Sequence, residues 1–220
     1  MIRDSLKNVD YYNKYIDSEK KRIDKFSKAL SALKEGTPQY AQCKMYLSNI
    51  YRNIINAAYS KGCDKDEIRL YVEKYFRYFD FDKQSGYADI IDALAFVIIF
   101  DLKVVDITKI SCNDSLIYIL CNYISSNEVK KSSDYNLKYY DLYHSFIDVL
   151  CDKISCDDFI SFIKNDWYEL NKDMHWFDSH KSDKNIYNGY WCWLGGAVLK
   201  MLNYPINRIV DCEFIPKDVL

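Results

Sequence analysis

"YADIIDALAFVIIFD", residues 87 to 101, is where a helical bundle and a sheet protein part company. Its first half spaces apolar residues for one face of a helix, and its second half, Ala93 to Phe100, is apolar all round. That pattern suits a helix sunk in the middle of a bundle. The β-branched residues also suit a buried strand, and on this stretch alone both readings stand. The apolar run is far short of the ~20 residues that span a bilayer.

Working outward toward the N-terminus, helical spacing dominates. Tyr12, Ile16, Ile23, Phe26, Leu30 and Leu33 recur at steps of three, four or seven, which predicts one long amphipathic helix. Gly36 stops it, Thr37 offers a cap, and Pro38 suits a first helical position, where its missing N–H is not needed. A second stripe, Tyr40, Cys43, Leu47, Ile50, Ile54 and Ala57, ends at Gly62, so the two form an antiparallel helical hairpin. Asp64 with Glu67 has the form of a capping box before Ile68, Tyr71, Tyr75, Phe76 and Phe79.

Toward the C-terminus the same signals recur. Ser111 and Asp114 offer a cap before "SLIYILCNYI", and the polar "SSNEVKKSSDYN" at 125 to 136 is the one convincing linker. It divides the chain into an N-terminal helical half, 1–125, and a C-terminal half, 136–220, forming one compact unit. Beyond it come a helix on Tyr139, Tyr143, Phe146, Ile147 and Leu150, and another capped by Ser155 with Asp158 and running through Phe159, Ile163, Trp167 and Leu170. Tyr190, Leu194, Ala197, Val198 and Met201 share a last helical face, with Trp193 and Lys200 opposite, Trp191 at its opening, and a close helix crossing at Gly195 and Gly196. With few Gly and Pro, no repeat and no strand-turn-strand signal, the expected fold is all-α, an irregular multi-helix bundle of antiparallel hairpins.

Composition narrows function by exclusion. The chain has 220 residues, 49% hydrophobic and 28% charged, which is globular rather than disordered. "MIRDSLKNVD" has no signal-peptide core, so a cytoplasmic location is expected. The eight Cys lie without a CxxC pair and are expected as buried free thiols. There is no Gly-rich phosphate loop.

The most site-like stretch is "DMHWFDSHKSDKNIYNGYWCWLGG", 173 to 196. His175, Asp178 and His180 are zinc ligands by type, which makes a metal-assisted hydrolase one hypothesis, but "HWFDSH" is not HExxH and its surroundings suit a solvated loop over 173 to 188. A Cys192–His175 nucleophilic pair is a second enzymatic reading, against which stands the position of Cys192 between two Trp. Neither outweighs a loop without metal or cofactor, in which His180 contributes little to stability.

Charge is more informative. Residues 1 to 60 hold 11 Lys/Arg against 6 Asp/Glu, whereas residues 61 to 220 hold 19 against 26. Between 157 and 183, seven carboxylates face three Lys. A solvated face explains this; so does an acidic patch for a basic partner, with Trp167, Tyr168 and Trp176 as anchors.

These residues also carry a family resemblance. "WYELNKDMHWFDSHKSDKNIYNGYWCWLGGAVLKMLNY" is similar to the PoNi family's aromatic segment, Asp-Ser-His loop and Gly-Tyr-Trp helix opening, and "IPKDVL" resembles its closing motif. "AAYSKG" with the Tyr-rich helix after it resembles the N-terminal half more loosely. Gly195-Gly196, Ile215 and Val219 depart from the pattern, at packing positions. The resemblance implies an all-helical, non-enzymatic immunity protein of interbacterial competition, type VI secretion included, whose partner is a cognate PoNe-type DNase toxin. It implies no direct nucleic-acid or membrane contact and no cofactor. On this reading the toxin-binding candidates are Asp166, Glu169, Asp173, Trp176, Asp178 and Asp183; a helical scaffold without a toxin is the remaining alternative.

Overall fold

The computed structural model describes residues 1–81, 86–103, 106–110, 113–131 and 136–220. Among them are nine α-helices, three short 3-10 turns and no strand, so the chain is all-α and residues 87 to 101 are helical. None of these helices is long and apolar enough to cross a membrane. The chain divides into two units, Met1–Asp80 with Asp178–Tyr190, and Phe81–Phe177 with Trp191–Leu220. The helices flanking the 125–136 segment both fall in the second unit.

The first unit is built on the expected hairpin. Helix α1 (Val9–Ser31) is capped by Asn8, and α2 (Pro38–Lys61) by Thr37, with Pro38 at its first turn. Helix α3 (Lys65–Phe76) starts where Asp64 accepts from the Glu67 N–H at 2.8 Å. One residue breaks the α1 pattern: Glu19 is buried, held by Arg22 at 2.7 Å.

Gly62 ends α2 in the left-handed region at φ 99° and also makes room for the N-terminus. A Cβ there would lie 2.0 Å from the Met1 carbonyl oxygen. The passing N-terminal segment is pinned by Arg3, whose guanidinium donates to the carbonyls of Tyr59 at 3.1 Å and Cys63 at 2.7 Å, at and just beyond the helix end. Gly62→Ala is therefore expected to cost at least about 1–2 kcal/mol from the backbone conformation alone, and more because Met1 must move. Urea unfolding checks this; an unchanged midpoint would mean that the N-terminal segment is not held here.

Residues 178–190 complete this unit as a strap. Tyr187 is buried, and its hydroxyl donates to Asp4 Oδ2, which also accepts from Tyr12 Oη at 2.8 Å. Asp4 Oδ1 accepts from the Leu6 N–H at 2.9 Å. Further along, Ser60 Oγ donates to the Asn188 carbonyl at 3.1 Å, and Tyr11 Oη donates to the Tyr187 carbonyl at 3.0 Å. The solvated loop expected over 173 to 188 is thus corrected for its second half: its outer residues are exposed, but Tyr187 is core.

The second unit centres on α4 (Tyr87–Ile99), buried on nearly every side. Around it are α5 (Ser115–Ser126), α6 (Tyr140–Leu150), α7 (Cys156–Asn165), α8 (Trp167–Leu170) and α9 (Trp193–Met201). Asp114 caps α5 and also accepts from the Lys138 N–H at 2.9 Å; Ser111 lies outside the described residues. Ser155 and Asp158 form the expected reciprocal capping box.

Helix α9 differs from its expected form. It opens at Trp193, not near Trp191, and buries every residue except Lys200, so Trp193 belongs to the core rather than to an outer face. The Trp193 ring meets Phe96 edge to face at 5.1 Å. Lys200 reaches across to the end of α4, donating to the Ile99 carbonyl at 2.9 Å. The close approach expected at the two glycines is present: a Cβ on Gly195 would lie 2.6 Å from Ile163 Cδ1, and one on Gly196 3.0 Å from Pro216 Cγ.

Candidate binding surface

The helix expected to run from Phe159 through Leu170 breaks at Asp166, which ends α7 and starts the single turn of α8. Asn165 and Asp166 are both weak helix formers, so the break is locally cheap. Its effect is to fold Trp167 and Tyr168 back against the turns that follow. Trp167 stacks on Trp176 with centroids 5.6 Å apart and planes within 20°. Phe214, from the C-terminal segment, lies 5.3 Å from Trp167 and stacks on Tyr168 at 5.7 Å and 3°. Tyr168 also stacks on Phe177 at 4.5 Å.

All five rings are only partly buried, and carboxylates adjoin them along the chain. Asp166 precedes Trp167, Glu169 follows Tyr168, Asp173 lies between the two aromatic pairs, and Glu213 precedes Phe214; all four are exposed. The second unit as a whole carries 12 Lys/Arg against 19 Asp/Glu, while the first carries 18 against 13. Surface potential in this unit is accordingly negative.

Of the six candidates from the sequence, Asp166, Glu169, Asp173 and Trp176 therefore belong to the second unit. Asp178 and Asp183 belong to the first, and Asp178 is engaged by Lys181 at 2.7 Å. Phe177 and Phe214 were not anticipated. Phe214 lies nearly fifty positions further along the chain, where no spacing rule connects it to Trp167.

The enzymatic readings fare differently. His175 is exposed in the second unit, whereas His180 lies in the strap, its Nδ1 2.8 Å from Tyr190 Oη and its backbone N–H donating to the same oxygen at 3.1 Å. Among the described residues, no group of three His, Cys, Asp or Glu is placed to hold a metal ion. Cys192 is buried, and burial pushes its thiol well above the ordinary 9.0, so the nucleophilic thiolate is disfavoured. The seven described cysteines are all free, four of them buried and three half-buried; Cys112 lies outside the described residues.

Among curated proteins and among solved structures, nothing matches the chain. Two family models do. One, described as PoNe immunity protein (PoNi), N-terminal, matches residues 3–112; the other, PoNe immunity proteins (PoNi), C-terminal, matches residues 112–219. With both models matched end to end over nearly its whole length, the chain belongs to the PoNi family of immunity proteins against PoNe nuclease toxins.

Proposed function

We propose that this protein neutralises a cognate PoNe-type DNase as a stoichiometric, non-enzymatic binder, laying the acidic surface of its second unit over the toxin's DNA-binding or active-site face. The observation that carries the reading, beside family membership, is the excess of carboxylates in that unit. A nuclease must present positive charge to phosphate, and an acidic protein surface occupies the same place that DNA would. Asp166, Glu169, Asp173 and Trp176 supply the contact. No cofactor, nucleic acid or membrane enters this mechanism. The protein works in the cytoplasm of the cell it protects, against a toxin that a competitor delivers by contact-dependent, type VI secretion.

Charge reversal tests it. Asp166→Lys with Asp173→Lys is expected to slow association with the catalytically inactivated toxin by about tenfold or more at low salt and to flatten the salt dependence. The difference shrinks as the Debye length falls to about 8 Å near physiological ionic strength. Lys20→Glu with Lys21→Glu, exposed on α1, serves as the control and leaves the rate within about twofold. If the Asp pair changes neither rate nor slope, the acidic surface is a solvated face and the interface lies elsewhere.

A further inference from the structure

The acidic surface and the aromatic stack coincide, and a purely electrostatic interface has no use for the stack. Steering needs carboxylates alone; Trp167, Trp176, Tyr168 and Phe214 add flat, preformed apolar faces whose ordering is already settled by ring-on-ring contact. Leu170, 40% exposed, lies at the end of the same helical turn. An aromatic cluster whose chain neighbours Asp166, Glu169 and Asp173 are exposed carboxylates has a specific chemical complement. It must be planar, cationic and weakly hydrated.

We propose that this platform is an arginine-reading site, the anchor on which guanidinium groups of the toxin's phosphate-binding face are seated. The proposal rests on the function argued above and adds to it the chemistry of the contact. A guanidinium stacks on an aromatic face while its edge donates two parallel hydrogen bonds to a carboxylate, and both partners are present here in one turn. An ammonium is a strongly hydrated point charge that gains less from the same surface. The toxin needs planar, bidentate cations to grip phosphate, so its DNA-binding face provides the ligand. The ring half of this arrangement already occurs inside the protein, where the Arg3 guanidinium lies 4.5 Å from the centroid of the Tyr59 ring while donating to backbone carbonyls.

The platform and the acidic field make separable contributions. Ring truncation shortens the lifetime of the complex, while charge reversal slows its formation. The experiment measures binding kinetics to the catalytically inactivated nuclease domain of the PoNe toxin against which co-expression of this protein restores survival. Trp176→Ala is expected to speed dissociation about 30-fold while leaving the salt slope of association unchanged. Arginine chloride is expected to weaken the wild-type complex more than lysine chloride at equal concentration, and Trp176→Ala to abolish that difference. Circular dichroism reports whether the variant is folded; should it not be, Leu170→Ser, at an exposed position, carries the same comparison with about a fivefold effect. Unchanged dissociation in a folded variant, or equal competition by the two salts, overturns the platform while the inhibitor reading stands. Failure of the wild-type protein to bind the nuclease overturns both.

Discussion

Trp193→Ala is expected to destabilise the second unit by about 3–5 kcal/mol, the range for emptying a large aromatic site in a packed core. The ring is 2% exposed, meets Phe96 on the central helix and Phe100 at its end, and opens α9, so its loss removes ring contacts between the two most buried helices of that unit. The helix has little freedom to close the space, because Gly195 and Gly196 pack so closely that an added Cβ would lie 2.6 Å from Ile163 Cδ1 and 3.0 Å from Pro216 Cγ. For a chain of this size the melting temperature should fall by roughly 10 °C. Trp191→Ala, at a half-buried position before the helix, is expected to cost less than half as much. Equal shifts in the two variants would show that the core is wrongly placed.

Asp4→Ala is expected to cost about 2–5 kcal/mol by a different route. The carboxylate is 7% exposed and accepts from two buried phenols and a backbone N–H, all of which lose their acceptor at once. Asp4→Asn keeps an oxygen in place and should cost about 1 kcal/mol. Because Tyr187 is one of the phenols, the alanine variant should also free the strap, and trypsin should cut at the exposed Lys181 and Lys184 faster than in the wild type. The same cluster governs alkaline stability. Burial, followed by the charge of Asp4, raises Tyr12 and Tyr187 above the ordinary 10.0, so the folded state holds their protons more tightly than the unfolded chain. Stability from these groups is complete below about pH 10 and is lost as pH rises further. Tyr187→Phe should flatten that loss above about pH 10; unfolding curves with identical alkaline slopes would exclude the cluster as its source.

The helices were legible because their signals are local. Thr37-Pro38, Gly62 and the Ser155–Asp158 box each act within one turn, and α4 was recognisable as buried from its continuous apolar half. Two features were not legible, for one physical reason. The docking of Tyr187 on Asp4 and the seating of Phe214 beside Trp167 depend on partners far apart in sequence, which no periodicity records. The break at Asp166 was missed because Trp167 and Leu170 continue the apolar period of α7 across it, and only ring stacking with later residues reveals why the helix turns aside. Three of the four exposed carboxylates beside the rings, Asp166, Glu169 and Asp173, and the rings Trp167, Tyr168 and Trp176 were therefore named from the sequence, but not the stacking that joins them to Phe177 and Phe214.

The late position of the strap has a consequence for how the protein is made. Tyr187 follows Asp4 by 183 residues, so a ribosome adding about 5–20 residues per second exposes the carboxylate and its first phenol some 10–40 s before the second phenol exists. During that interval the helical hairpin can form from its own short-range contacts, yet the polar centre beside it stays open to water. A nascent chain that stalls after the first eighty residues therefore leaves a hairpin with an unfilled seam, a natural target for chaperones and proteases. The N-terminal turns of the first unit are therefore sealed only once residues 178–190 have been made.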